Sequence, residues 1–219
     1  EAMEAAAELE DFEEQLYSVE EGDKHLIATS EQTLAAYHYD EILEPDSLPR
    51  KYAGVSSCFR REAGSHGKDT KGIFRVHEFE KVEQYVFCDP DESWEMYEEL
   101  RENFEEVFQE LDLHYRVVNV CTGDMNDNAA KKLDLEAWFP AQDRYRELVS
   151  CSNCTDYQAR KLKVRMRGEE NPTVHTLNST ALAVQRTICA ILEQNQTGDG
   201  RVVVPDALQP YLGDEYIDV

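Results

Sequence analysis

Basic residues are scarce in this chain. Lys and Arg total 22 against 46 Asp and Glu, for a formal net charge of −24 and a pI near 4.5. A surface this acidic repels nucleic acid in dilute buffer. At molar salt the Debye length falls to roughly 3 Å and self-repulsion is screened, so the composition reads as that of a halophile, or as an ordinary acidic protein whose basic partner-binding region lies in another part of a longer chain. No apolar run is long enough to span a bilayer. No basic-then-apolar leader opens the chain, which makes the cytoplasm the expected compartment. There is no nucleophile elbow, no Walker loop and no dinucleotide fingerprint. Those absences remove the signatures of an α/β-hydrolase, a P-loop enzyme and a Rossmann dehydrogenase. There is no internal repeat and no low-complexity linker.

Metal-site spacing is also incomplete. Six cysteines occur, and Cys151-Ser152-Asn153-Cys154 has C-x-x-C form. It lacks a second such pair and a nearby pair of histidines, so it is half a site. Buried, reduced thiols are the expected state of these residues.

What remains is enough for one domain with a real core: 219 residues, 41% of them hydrophobic. The chain opens on Glu1 inside a helical pattern over residues 1–18, with Met3, Ala6, Leu9, Phe12 and Leu16 on one stripe. It is therefore expected to be a piece of a longer protein. His25–Ala28 reads as a strand. Thr29 starts a helix through about Tyr39, with Gln32 completing a capping box. Residues 51–62 and 75–88 read as strands around a loop at 63–73. Asp91 or Ser93 caps an amphipathic helix bearing Trp94, Tyr97, Leu100, Phe104, Val107 and Leu111. Strands follow at Tyr115–Cys121, Leu133–Phe139, Tyr145–Ser150 and 160–167. Asn178 or Ser179 caps a last helix through about Glu193, with Leu182, Ile188, Ile191 and Leu192 inside. The fold class is α+β, an antiparallel sheet flanked by helices.

Chemistry concentrates in a few places. In Cys58-Phe59-Arg60-Arg61-Glu62, alternation puts Arg60 and Glu62 on one face, and Phe79 and Glu83 share a face further on. The Arg fork can take a carboxylate and a phosphate oxygen together. Glu62 can accept from an exocyclic amine, and Phe79 offers a plate for a purine. Arg60 and Glu62 alone read equally as a surface ion pair of little worth. The loop Gly64–Gly72, with its three Gly and two Lys, can close over phosphates or is an ordinary polar hairpin loop. Glu147 and Ser150 offer oxygen donors suited to Mg²⁺, or are strand and turn. Arg186 lies in an apolar segment and needs a partner, either a structural carboxylate or a phosphate. Thr29 and Glu31 offer a hydroxyl and a carboxylate where a helix starts, or only its cap.

Laid together, these segments resemble class II aminoacyl-tRNA synthetases, in the form used by seryl-tRNA synthetases. The likeness rests on Ala28-Thr29-Ser30-Glu31, Cys58-Phe59-Arg60-Arg61-Glu62, Gly72–Phe79, Asp134-Leu135-Glu136-Ala137-Trp138, Glu147–Thr155, Leu177-Asn178-Ser179-Thr180 and Gln185-Arg186-Thr187. It covers nearly the whole chain and weakens after about residue 200. It implies one catalytic core over residues 1–219, with motifs 2 and 3 present and motif 1 and the N-terminal tRNA-binding coiled coil absent. It implies ATP-dependent activation of L-serine and transfer to tRNA(Ser), with ATP and Mg²⁺ as cofactors and a homodimeric parent. Thr29, Glu31, Arg60, Glu83, Asn178 and Thr180 would bind serine. Arg60, Glu62, Val76, Phe79, Glu147, Leu148, Val149, Ser150 and Arg186 would bind ATP. Glu147 and Ser150 would hold the metal, and Arg60, Glu147 and Arg186 would carry catalysis. Two other readings compete: a catalytically retired copy serving as a binding module, and a ligase that charges a carrier protein.

Overall fold

The computed structural model describes residues 13–19, 24–62 and 72–218. Six strands form one sheet: β1 (Arg50–Phe59), β2 (Glu78–Cys88), β3 (Tyr115–Asn119), β4 (Lys131–Phe139), β5 (Arg144–Thr155) and β6 (His175–Ala183). Their order is β1-β2-β6-β5-β4-β3, antiparallel at every pairing. Four helices matter to the site: α1 (Ser30–Ala35), α2 (Ser93–Glu110), α3 (Tyr157–Leu162) and α4 (Val184–Gln194). This is the α+β class the patterning implies.

The period of two assigns each strand's faces. On β2, Val86 and Cys88 join the larger core, while Tyr85 and Phe87 join a smaller one on the opposite face. The larger core is closed by α2, through Met96, Tyr97, Leu100, Phe104 and Phe108, and by Ala190 and Ile191 of α4. Five aligned apolar side chains bury one stripe of α2, and its acidic residues are left to water. Trp94, expected on that stripe, is 50% exposed and stacks edge-on against Tyr97 instead.

Three β-bulges shape the sheet; one leaves Cys154 as the extra residue of β5 against β6, and the other two bear on the site. Leu135 pairs with Val149 and Glu136 with Glu147, so Leu148 is the extra residue in β5. Thr180 faces Glu83 and Leu182 faces Val82, so Ala181 is the extra residue in β6. Each bulge resets the alternation. Glu147 therefore shares a face with Ser150 in spite of the odd spacing between them.

Several expected elements need correction. Of the strand expected over His25–Ala28 only His25 is in one, the two-residue strand Lys24–His25 paired with Ser18–Val19. Thr29 is the residue before α1, but its side chain makes no cap bond and accepts from Lys81 instead. The helix also ends early, in a 3-10 turn over Ala36–His38. β1 stops at Phe59; the Arg60 amide still donates to the His77 carbonyl at 3.0 Å, and Glu62 takes a positive φ of 52°. Asp89 caps a 3-10 turn over Pro90–Glu92, and neither Asp91 nor Ser93 is the N-cap of α2. β5 runs on through the C-x-x-C segment. Residues 160–167 are the end of α3 followed by a two-residue strand, Arg165–Met166, paired in parallel with Ile42–Leu43. Asn178 and Ser179 lie inside β6, and the last helix begins only at Val184. There local cap chemistry lost to strand pairing on both sides. Ile188 is 40% exposed rather than inside. Most of the helix expected over residues 1–18, and the loop at 63–71, fall outside the described residues.

Candidate active site

A cavity of about 400 Å³ opens on the sheet face that carries Phe79 and Glu83. Strand alternation delivers Phe79, Lys81 and Glu83 from β2, while the bulged strands deliver Glu147 and Ser150 from β5 and Asn178 and Thr180 from β6. Thr29 and Glu31 enter from the start of α1, Arg186 from the first turn of α4, and Arg60 and Glu62 from beyond β1. Every site residue expected from the sequence lines this cavity except Val149. Its side chain is fully buried in the core on the other face, as its place beside the bulge dictates.

Thr29, Glu31, Lys81 and Glu83 form a buried polar cluster. Lys81 Nζ lies 2.6 Å from Glu83 Oε2 and donates to Thr29 Oγ1 at 3.1 Å. Gln158 Nε2 donates to Glu31 at 2.8 Å, while the Gln158 oxygen accepts from Tyr85 and Thr176. Two hydroxyl donors on that oxygen fix the amide so that its NH₂ faces Glu31. Burial pushes the Glu83 carboxyl up to about 7, against the pull of Lys81.

This shift has a sign that can be checked. A carboxyl raised in the folded state binds more protons than in the unfolded chain, so ionising it opposes folding. Its contribution falls by about 3 kcal/mol as pH rises from about 4.5 to 7. We expect denaturant titrations of Glu83→Gln to show a shallower decline over that window than the parent chain. Equal slopes would mean that Glu83 is not the group responsible.

The rest of the cavity is cationic and aromatic. Arg60 Nε donates to the Ala28 carbonyl at 3.0 Å, and its guanidinium lies 5.4 Å from the Phe79 ring centroid. Arg75 Nη1 donates to Glu62 at 2.5 Å. Arg186 donates to the Glu147 carbonyl oxygen at 3.1 Å and lies 3.9 Å from its carboxylate. Phe74 is flanked by Arg146 and Arg186, at 3.8 and 5.1 Å from its centroid. Behind Ser150, opposite it on β4, burial pushes the Asp134 carboxyl up to about 6, helped by Glu147 and opposed by Lys132 and the Ser150 hydroxyl. Asp134 Oδ1 has no hydrogen-bond partner among the described residues.

Sequence reasoning missed several lining residues: Phe74, Arg75, Lys81, Asn126, Asn128 and Lys132. Lys81 was within reach, because it sits between Phe79 and Glu83 on the same period of two. Arg75 and Phe74 precede β2 in irregular chain, where no period assigns a face. The two strand cysteines lie apart in role. Cys151 is in the core, its thiol pushed up to about 12 by burial, and Cys154 accepts from Asn178 Nδ2 at 3.4 Å.

Comparison with known proteins fits this geometry. Residues 13–195 match the model of the tRNA synthetase class II core domain, the group of the G, H, P, S and T types. The chain belongs to the class II tRNA synthetase core family. Within it, the core is 57% identical over 218 residues to a serine–tRNA ligase of Methanospirillum hungatei, covering 98% of this chain and 51% of that protein. A serine–tRNA ligase of Helianthus annuus is 57% identical over 220 residues, covering 96% and 50%. The crystal structure of seryl-tRNA synthetase from Pyrococcus horikoshii complexed with ATP superposes with a TM-score of 0.95 at 54% identity, over 99% of this chain and 49% of that one. A Giardia lamblia prolyl-tRNA synthetase at 18% identity and TM-score 0.77 shares the fold. The class II core described here thus spans about half the length of the curated relatives it matches.

Proposed function

We propose that this core activates L-serine with ATP and serves in its transfer to tRNA(Ser). The observation that carries the proposal is that one cavity is lined both by the Thr29, Glu31, Glu83, Asn178 and Thr180 cluster and by Glu62, Phe79, Glu147 and Arg186, with Arg60 among them. The first set suits an amino acid with a hydroxyl. Glu83 and Glu31 offer carboxylates to an ammonium, while Thr180 and Asn178 offer partners to the hydroxyl. A pocket built to bond a hydroxyl is left with unpaired groups by alanine, which penalises the wrong substrate. The second set suits ATP, with Phe79 against the purine, Glu62 toward its amine and the arginines toward phosphate. The ATP-bound relative supports this half of the reading.

In the reaction, a serine carboxylate oxygen attacks the α-phosphorus. The bond to the bridging oxygen breaks and pyrophosphate leaves. Arg60 neutralises charge on the attacking carboxylate and the α-phosphate, and Arg186 meets the outer phosphates. A terminal ribose hydroxyl of tRNA then attacks the acyl carbon, and AMP leaves. No covalent enzyme intermediate is involved.

Mg²⁺ belongs to the same proposal. Its preference is for a few hard oxygen donors, with phosphates and water completing the shell. Glu147 and Ser150 open on the cavity, and Asp134 behind them keeps a buried oxygen without a hydrogen-bond partner among the described residues. Among the described residues no three His, Cys, Asp or Glu side chains form a metal cage. Such a cage is not what Mg²⁺ requires. When bound, the ion would neutralise phosphate charge. A homodimeric parent that grips tRNA through a coiled-coil arm completes the proposal.

The test is ATP–pyrophosphate exchange with serine, glycine, alanine and threonine, in dilute buffer and in molar KCl. Serine is expected to support exchange far above the other three. Equal exchange with glycine or alanine would favour a ligase for a smaller amino acid. No exchange from a folded, full-length parent would favour a retired binding module. Exchange confined to molar KCl would match the acidic composition.

A further inference from the structure

Lys81 has no role in the reaction described above, yet it sits at the centre of the buried cluster. Its side chain is 12% exposed and that of Glu83 is 1% exposed. A charge buried this deeply requires a partner, and each is the other's. Nζ lies 2.6 Å from Glu83 Oε2, an ion-pair contact, and also donates to Thr29 Oγ1. Lys81 thus holds the carboxylate by charge, and its own position is fixed by the threonine before α1.

The amino-acid reading places a substrate ammonium beside this same carboxylate. In this structure the Lys81 ammonium is already there. We propose that Lys81 is the resident counter-ion of Glu83 and hands the carboxylate over to the ammonium of an incoming amino acid. The hand-over rests on the amino-acid reading given above. It exchanges one cation for another at a buried anion. The anion is never left alone.

The groups that face Glu83 give the proposal its sign. Burial, the largest influence, acts with Glu31 on α1 against ionisation; Lys81 on β2 and Arg60 beyond β1 act for it. The neighbouring thiols of Cys58 on β1 and Cys151 on β5, and the Tyr85 phenol on β2, are kept protonated by burial. Thr180, opposite on β6, carries no charge. Removing Lys81 leaves Arg60 as the single cation of this set.

Two measurements on the full chain test this, with Lys81→Met as the probe and Lys81→Arg as the conservative control. The first is carbon-13 NMR of the glutamate carboxyls without substrate, with Glu83 assigned through Glu83→Gln. The Glu83 midpoint is expected to rise by about one pH unit or more in Lys81→Met and to return in Lys81→Arg. An unmoved midpoint overturns the pairing, whether or not serine binds. The second is serine affinity by calorimetry from pH 6 to 9. Lys81→Met is expected to bind roughly tenfold more weakly at pH 7 and to approach the parent by pH 9. A loss that is equal at every pH overturns the hand-over and makes Lys81 a strut for Thr29. A parent chain that binds no serine fells the amino-acid reading and the hand-over together, while the NMR result still judges the pairing. A Lys81→Met chain that fails to melt cooperatively moves both measurements to Lys81→Gln, judged by the same outcomes.

Discussion

Arg60→Ala is expected to abolish serine-dependent ATP–pyrophosphate exchange, with a fall of about 10³-fold, in line with removal of a preorganised donor at a developing charge. The expectation comes from how the side chain is held. Its Nε is tied to the Ala28 carbonyl at 3.0 Å, and the guanidinium lies 5.4 Å from the Phe79 ring centroid. One edge of the plane is anchored and one face leans on an aromatic ring, so the fork arrives in the cavity already oriented. Little reorganisation is left for the moment of reaction. Arg60→Lys is expected to recover little, because a point ammonium cannot span a carboxylate and a phosphate oxygen. Exchange rates decide the matter, with melting curves to show that the variants fold. Arg60→Ala within tenfold of the parent would sink the assignment.

Chelation of divalent cations should have a comparable effect, and Glu147→Ala should reduce exchange by about 10²-fold or more at fixed Mg²⁺. Glu147 has two tasks in the geometry. Its carbonyl oxygen receives Arg186, and its carboxylate, facing the cavity with the Ser150 hydroxyl, is the proposed metal ligand. Truncating the side chain leaves the carbonyl contact in place but removes the 3.9 Å ion pair with Arg186, so the response to Mg²⁺ is what isolates the metal contribution. Raising Mg²⁺ should then restore part of the Glu147→Ala rate. Full activity in the presence of a strong chelator, or a Glu147→Ala defect indifferent to Mg²⁺, would remove the metal from this site.

The sheet was legible wherever a period of two ran unbroken. Phe79 and Glu83 were placed correctly on one face because β2 pairs without interruption over that stretch. The same reasoning could not place Glu147 with Ser150. Their odd spacing means opposite faces in a regular strand, and only the extra residue Leu148 reunites them. A bulge leaves little trace in one sequence, since Leu148 looks like any apolar strand residue. Motif resemblance, not periodicity, brought those two residues together. The Asn178–Ser179 error has the opposite origin. Cap-forming side chains gave a real local signal, and pairing with β2 and β5 overrode it. Arg75 and Phe74 were missed because a cation or a ring outside a regular element has no assigned direction until tertiary contacts supply one. The C-x-x-C pair was legible by incompleteness: in an extended strand its odd spacing sends the two thiols to opposite faces.

The floor of the cavity is carried by β2, β6 and β5, and each of these strands is paired on both sides. Their amides open to solvent only when neighbouring ladders part, so they belong to the slowest-exchanging set of the molecule. Recognition here does not ride on a loosely attached lobe that could melt first. Heating should therefore reveal no plateau in which the chain is folded but blind to its ligands.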